Sequence, residues 1–385
     1  MRVAVSVWGR FHLFHLARRL LHDDALAAIF STYPRRLLER EHIPRDKLFT
    51  NPWLHAPLLA KWRIGLRNRR LDRWWQRAMD ADQVRYIARH LPPCDVLVGH
   101  SGSGLRAGPM VQAAGGKWIC DRGSSHQLYA DRLLTEEYAR FGAVFPVADR
   151  WAMDKELQEY ERADRIVVPS EYARRSYVDM GIDPIKVVKI PYGGDLTVFH
   201  RTADPAPGDF TIFFCGQISF RKGFPYLLDA FRRVRHPRKK LVVAGQPVAE
   251  IRPFLATTDL TGVEFLGAVD RADLNRHYSR ADVFAIASID EGMALVQGEA
   301  MACGVPVIAT DHCGGDLIRD GVDGYIVEIR NPGMMADCLQ RLADDPRLGR
   351  DMGASGLAHI RSFGGWNAYG DAYVSLLRTM TGAPP

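Results

Sequence analysis

Val283-Phe284-Ala285-Ile286-Ala287-Ser288-Ile289-Asp290-Glu291-Gly292-Met293-Ala294-Leu295-Val296-Gln297-Gly298-Glu299-Ala300-Met301-Ala302-Cys303-Gly304-Val305-Pro306-Val307-Ile308-Ala309 passes from a continuous apolar run into a polar turn and then a short helix. Gly304 and Pro306 end that helix and open a second apolar strand. Strand, turn and crossover helix make one unit of a parallel sheet, and ligands bind such sheets outside the carboxyl ends of the strands. A helix start near Gly292 would present the N–H groups of Gly292, Met293 and Ala294 to an anion or a sugar, with glycine letting the ligand approach the backbone. Two glutamates, Glu291 in the turn and Glu299 one to two turns down the helix, flank this site. A carboxylate on the helix can accept both hydroxyls of a ribose. The pair taken alone also reads as surface glutamates around an ordinary connection.

Upstream, the strand-like run Thr211-Ile212-Phe213-Phe214-Cys215 leads into Gly216-Gln217-Ile218-Ser219-Phe220-Arg221-Lys222-Gly223, and Pro225 opens a helix whose apolar stripe is Leu227, Leu228, Phe231 and Val234. Arg221 and Lys222 therefore fall just before a helix N-terminus, where side-chain charge and helix dipole both favour a phosphate. A solvated basic turn is the plainer reading of these two residues in isolation.

From Glu291 to Val307 the chain matches every fixed position of E-G-x-x-L-x-x-x-E-A-x-A-x-G-x-P-V, and so resembles the donor-site signature of retaining glycosyltransferases of family 4. The resemblance implies an α/β chain of the GT-B kind: two Rossmann-like, doubly wound parallel-sheet domains facing across a cleft. It implies Glu291 at the donor-sugar hydroxyls, Glu299 at the ribose and the backbone of Gly292, Met293, Ala294 and Leu295 along the donor. The family's upstream segment is usually G-R-x-x-x-x-K-G. Gly216, Lys222 and Gly223 match it, whereas position 217 is glutamine. Gln217 can donate a hydrogen bond but carries no charge, so Arg221 is the expected second cation at the diphosphate.

The activity implied is retaining transfer of a hexose-type sugar from a nucleotide-diphosphate sugar to a hydroxyl of a glycan or lipid-linked acceptor. It would proceed by front-face substitution in which the leaving phosphate takes the acceptor's proton. No metal and no other cofactor is expected, and the family points to polysaccharide biosynthesis at the cell envelope. Two other readings stay open, a nucleotide-sugar 2-epimerase on the same architecture and a non-catalytic nucleotide-sugar-binding module. A dehydrogenase is disfavoured because no strand runs into G-x-G-x-x-G.

The 385 residues suffice for two domains, each with its own core. Strand-like runs at 3–7, 27–30, 96–99, 118–121, 166–169 and 187–190 alternate with helix-like segments, and a second series follows at 212–215, 241–245, 263–267, 283–288, 305–309 and 325–327. Between them lies a break after residue 193 and a polar, proline-bearing stretch. The expected division is an acceptor-side domain over 1–193, a linker over 194–210 and a nucleotide-sugar domain over 211–365. A helix over 366–385 would cross back to complete the first domain, as in enzymes that this chain resembles.

The first domain's loops are less readable. Gly9 follows the first strand and is expected near the donor phosphate, with His12 close by. After the strand at 118–121 come Asp121, Arg122 and His126, and His100 ends the strand before it. His126 is the expected catalytic histidine on the resemblance, with Glu291 and Lys222, while His12, His100, Asp121 and Arg122 are acceptor-side candidates. For His12 alone, a helix-start contact or partly buried packing is the plainer reading. A stretch over 61–77 mixes arginines with Trp62, Trp74 and Trp75. It reads either as a peripheral contact with an anionic membrane or as a basic surface helix packed by its tryptophans. The formal charge of +6 suits an anionic partner; no nucleic-acid motif accompanies it. Six scattered cysteines without C-x-x-C spacing argue against a disulfide or metal framework. With no apolar stretch long enough to span a bilayer and an N-terminus that reads as a strand, the expected location is the cytoplasm, with contact at the inner face of the membrane through 61–77.

Overall fold

The computed structural model of the chain describes residues 1–63, 66, 68–194, 198–313 and 315–383. Among these residues two parallel sheets form. The first contains β1 (Val3–Val7), β2 (Leu26–Ser31), β3 (Leu48–Thr50), β4 (Val96–His100), β5 (Lys117–Asp121), β6 (Arg165–Val168) and β7 (Val187–Lys189), in the order β3-β2-β1-β4-β5-β6-β7. The second contains β8 (Phe210–Cys215), β9 (Lys239–Ala244), β10 (Val263–Gly267), β11 (Val283–Ile286), β12 (Val307–Thr310) and β13 (Gly324–Val327), in the order β10-β9-β8-β11-β12-β13. The winding reverses between β1 and β4 and between β8 and β11, which opens a crevice at the carboxyl end of each sheet. The expected doubly wound architecture is the one observed.

Strands buried on both faces explain the unbroken apolar runs. Val3, Val5 and Val7 of β1 join a cluster with Leu13, Leu16 and Leu20 of the helix Leu13–His22, whereas Ala4 faces the opposite cluster with Trp118 and Cys120. The first cluster also takes in Tyr369, Tyr373, Val374 and Leu377 of the helix Gly365–Thr381. The backbone therefore passes between the lobes twice, and the two passages touch. A methyl group added at Gly193 would lie 2.3 Å from the backbone carbon of Gly365.

Three local readings change. β3 has only three residues at a sheet edge, too short to show a pattern. The helix after β11 starts at Leu295, with Ala294 in extended backbone before it, so its first unpaired N–H groups begin later than Gly292. The basic 61–77 stretch is divided between the helices His55–Arg63 and Arg69–His90, the second capped by Asn68; Ile64, Gly65 and Arg67 lie outside the described residues. Trp75 Nε1 donates to the carbonyl of Leu54 at 2.8 Å, while Trp74 stays exposed. Residues 195–197 of the expected linker and Pro384-Pro385 also lie outside the described residues.

The lobes meet along one side. Phe141 stacks on Phe220 with centroids 4.8 Å apart, and Arg330 binds Glu137 at 2.6 Å and Glu136 at 3.0 Å. Ser125 Oγ and Tyr172 OH both donate to Asp290 Oδ1, at 2.5 and 2.7 Å. The loops also meet through backbone, Gly292 of the second lobe lying against the carbonyl of Gly123 of the first.

Candidate active site

The crevices of the two sheets face one another and enclose a cleft of about 950 Å3, lined from the first lobe by Arg10, Phe11, His12, His15, Arg18, His100 and Arg122 and from the second by Gly216, Lys222, Arg271, Glu291, Met293, Ala294 and Leu295. Gly216 and Gly223 shape the loop after β8. Gly223 has φ +61, and a Cβ there would strike the carbonyl of Ala287 at 1.7 Å; only glycine lets this loop lie against the end of the β11 segment. Lys222, 8% exposed, is held on that loop and its Nζ donates to Glu291 Oε2 at 2.5 Å. Arg221 Nη1 donates to the same oxygen at 2.8 Å and to the carbonyl of Asp290 at 3.0 Å. Burial opposes ionisation of Glu291, but the facing charges of Lys222 and Arg221 outweigh it and hold the carboxyl below its ordinary range.

Arg221 therefore anchors the Glu291 loop from behind rather than lining the cleft, a different position from the one expected. Gln217 is exposed outside the lining. Gly292 meets the other lobe instead of open space, and the N–H groups of Leu295 and Val296 lie in the first turn, where no carbonyl of the helix can reach them. Glu299 accepts from Tyr278 OH at 2.9 Å and lies 3.9 Å from Arg271, which lines the cleft beside it. Arg271 was not singled out in the sequence; it opens the helix Arg271–Ser279 with nothing in its neighbours to mark it.

Across the cleft, His12 Nε2 and Asp121 Oδ1 are 2.6 Å apart, and Tyr373 OH donates to Asp121 Oδ2. Burial raises the carboxyl, but the His12 charge and the bonds from His12 and Tyr373 bring it below its ordinary range. An ionised carboxylate only accepts, so the proton of this bond sits on Nε2. Tyr192 packs on His12 with centroids 4.5 Å apart. Asp121 is thus buried behind the histidine rather than facing an acceptor. Arg122 lines the cleft with its charge balanced by Glu156 at 2.8 Å.

The expected role of His126 does not survive. Its ring is 3% exposed, packed between Tyr160 and Tyr177 and away from the cleft lining, and burial lowers its pKa to about 4. His100 does line the cleft, stacked on Phe11, and burial lowers it to about 4 as well. Gly9 takes φ +70, but its N–H donates to Thr32 Oγ1 at 2.9 Å and its carbonyl accepts from Ser31. Its backbone is spent within the first lobe, and Arg10, Phe11 and His12 form the surface instead.

Two such domains, with facing crevices and a cation-lined loop at the second, define a GT-B protein. In fold the chain is similar to HepE of Anabaena, solved with UDP and glucose (TM-score 0.69, 15% identity, 98% of this chain and 100% of that one), and to sucrose-phosphate synthase of Thermosynechococcus elongatus (TM-score 0.67, 20% identity, all of both chains). Residues 209–345, which carry Lys222, Glu291 and Glu299, match the family described as glycosyl transferases group 1. In sequence the chain is similar to the D-inositol 3-phosphate glycosyltransferases of Kineococcus radiotolerans, 33% identical over 58% of this chain, and of Mycobacterium bovis, 30% identical over 59%. It spans 59% and 51% of the length of these curated relatives. Among the described residues no helix is long and apolar enough to cross a membrane.

Proposed function

We propose that the protein is a glycosyltransferase that moves a hexose-type sugar, with retention, from a nucleotide-diphosphate sugar to a hydroxyl of a glycan or lipid-linked acceptor. The observation that carries this reading is the Lys222–Glu291 pair on the cleft wall beside the first turn of the helix at Leu295. HepE has been solved with UDP-glucose, which makes a UDP-hexose the first donor to test. Lys222 and the N–H groups of Leu295 and Val296 bind the diphosphate, and Glu291, oriented by two cations, takes the sugar hydroxyls. A donor of this kind, aimed at charge that grows as the diphosphate leaves, contributes about 2.7–4 kcal/mol. With side-chain and dipole charge at that position the reaction needs no metal ion. The site acts at the cytoplasmic face, and the exposed Trp53 and Trp74 with the neighbouring arginines touch anionic lipid.

The His12–Asp121 pair favours a second stereochemical reading. A histidine oriented by a buried carboxylate is built to accept a proton from a hydroxyl, and if it activates the acceptor for attack from the face opposite the diphosphate, the sugar is inverted. Incubation with UDP-glucose, GDP-mannose and similar donors, followed by proton NMR of the product's anomeric coupling, separates the two. Absence of both transfer and donor hydrolysis across the donors would overturn the glycosyltransferase reading.

A further inference from the structure

We infer that the first-lobe end of the cleft binds a phosphate group carried by the acceptor, held by Arg10, Arg18 and Arg40. This rests on the glycosyl-transfer reading and adds the chemical class of the acceptor. Arg10 Nε and Arg18 Nη1 bind the two oxygens of Glu41, whose side chain is 3% exposed while the two arginine side chains remain 41% and 34% exposed. Arg18 Nη2 also meets His15 Nδ1 at 2.8 Å, and the His15 ring stacks on Trp366 at 3.8 Å. A buried carboxylate and a stacked imidazole thus fix two guanidiniums at the cleft surface, and Arg40 stands exposed beside them on the same wall.

A guanidinium has five N–H donors, more than Glu41 and His15 can take up. Three positive charges against one negative leave a local surplus of two. The opposite lobe holds Lys222 on its cleft wall through Glu291, with Arg221 bracing Glu291 from behind, and on the reading above Lys222 serves the donor diphosphate. One diphosphate does not require a second pole on the facing lobe, so the arginine group is placed for another anion entering with the acceptor. Guanidinium forks match carboxylate and phosphate alike. Three arginines arriving from three chain positions suit a tetrahedral group with oxygens in several directions better than a flat carboxylate.

The full-length protein, saturated with UDP to fill the donor pole, is titrated calorimetrically with glycerol 3-phosphate and with glycerol. The phosphate ester is expected to bind at least about tenfold more tightly. Arg10→Gln or Arg18→Gln should weaken it by about tenfold, the worth of one hydrogen-bonded charge, with UDP affinity unchanged. Arg40→Gln, on an exposed side chain that folding does not depend on, should weaken it severalfold. Equal affinity for the two probes, or phosphate binding indifferent to all three substitutions, overturns the inference. Vesicles of phosphatidylcholine with and without phosphatidylinositol identify the source. Capture that the substitutions abolish puts the phosphate on a lipid, and a response confined to glycerol 3-phosphate puts it on a soluble acceptor. Failure of UDP and other nucleoside diphosphates to bind the unaltered protein counts against the donor site instead, and leaves the phosphate titration readable by itself.

Discussion

Gly292→Ala isolates the contact between the lobes. The glycine is outside the left-handed region of backbone space, so alanine suits its local conformation; the obstacle is the other lobe. An added Cβ would lie 2.0 Å from the carbonyl oxygen of Gly123, 2.7 Å from its carbon and 2.8 Å from Ser124 Cα. Both partners are backbone, and no side chain can swing aside. To restore an ordinary contact the lobes must part by about 1 Å, a misplacement that can cost on the order of 100-fold in rate, or about 2.7 kcal/mol in the barrier. UDP affinity should change little, because Lys222 and the N–H groups of Leu295 and Val296 all belong to the second lobe. Thermal stability should hold, since neither sheet is disturbed. Steady-state transfer with a UDP-hexose, UDP titration and a thermal melt measure the three quantities. Unimpaired kcat/KM in Gly292→Ala would refute the view that catalysis uses the lobes in this contact.

Lys222→Ala should lower kcat by about 100- to 1000-fold, as expected for loss of a donor aimed at the leaving group; full turnover would remove it from the diphosphate site. His12→Asn should cost about 100- to 10,000-fold if it takes the acceptor proton, and Asp121→Asn should follow it with UDP affinity intact; an effect on UDP binding alone would contradict the role. Glu291, held below its ordinary range, contributes stability that is present above about pH 4.3 and lost as pH falls through its folded-state value. The stability gap between the unaltered protein and Glu291→Gln should therefore narrow on acidification below that point, which acid-denaturation curves would reveal. Cys215 lines the cleft, but burial raises its thiol to about 11, so alkylation should be slow near neutrality and rise steeply with pH.

The strand pattern was legible because the central strands of both sheets are buried on two faces, which writes them as short apolar runs. Twelve runs read from the sequence have counterparts in the sheets, and among the described residues only the three-residue edge strand β3 escaped. The 291–307 stretch was legible for another reason: its loop and helix are contiguous, so spacing alone brings Glu291 to the mouth of β11. Contacts between distant segments were not legible. His12 and Asp121 are 109 residues apart, and Tyr373 is 252 residues beyond Asp121; nothing in either neighbourhood announces the partner. His126 attracted attention by its place after β5, yet two tyrosines enclose it. Glu41 lies in a short polar segment with nothing in the sequence around it to mark it as the buried partner of Arg10 and Arg18.

The paired passages of backbone at Gly193 and Gly365 limit how the molecule can open. A single tether would let one half swivel freely, but two strands of chain fastened side by side at one margin act like two pins on a door. They permit rotation about the line through them and resist torsion and sliding.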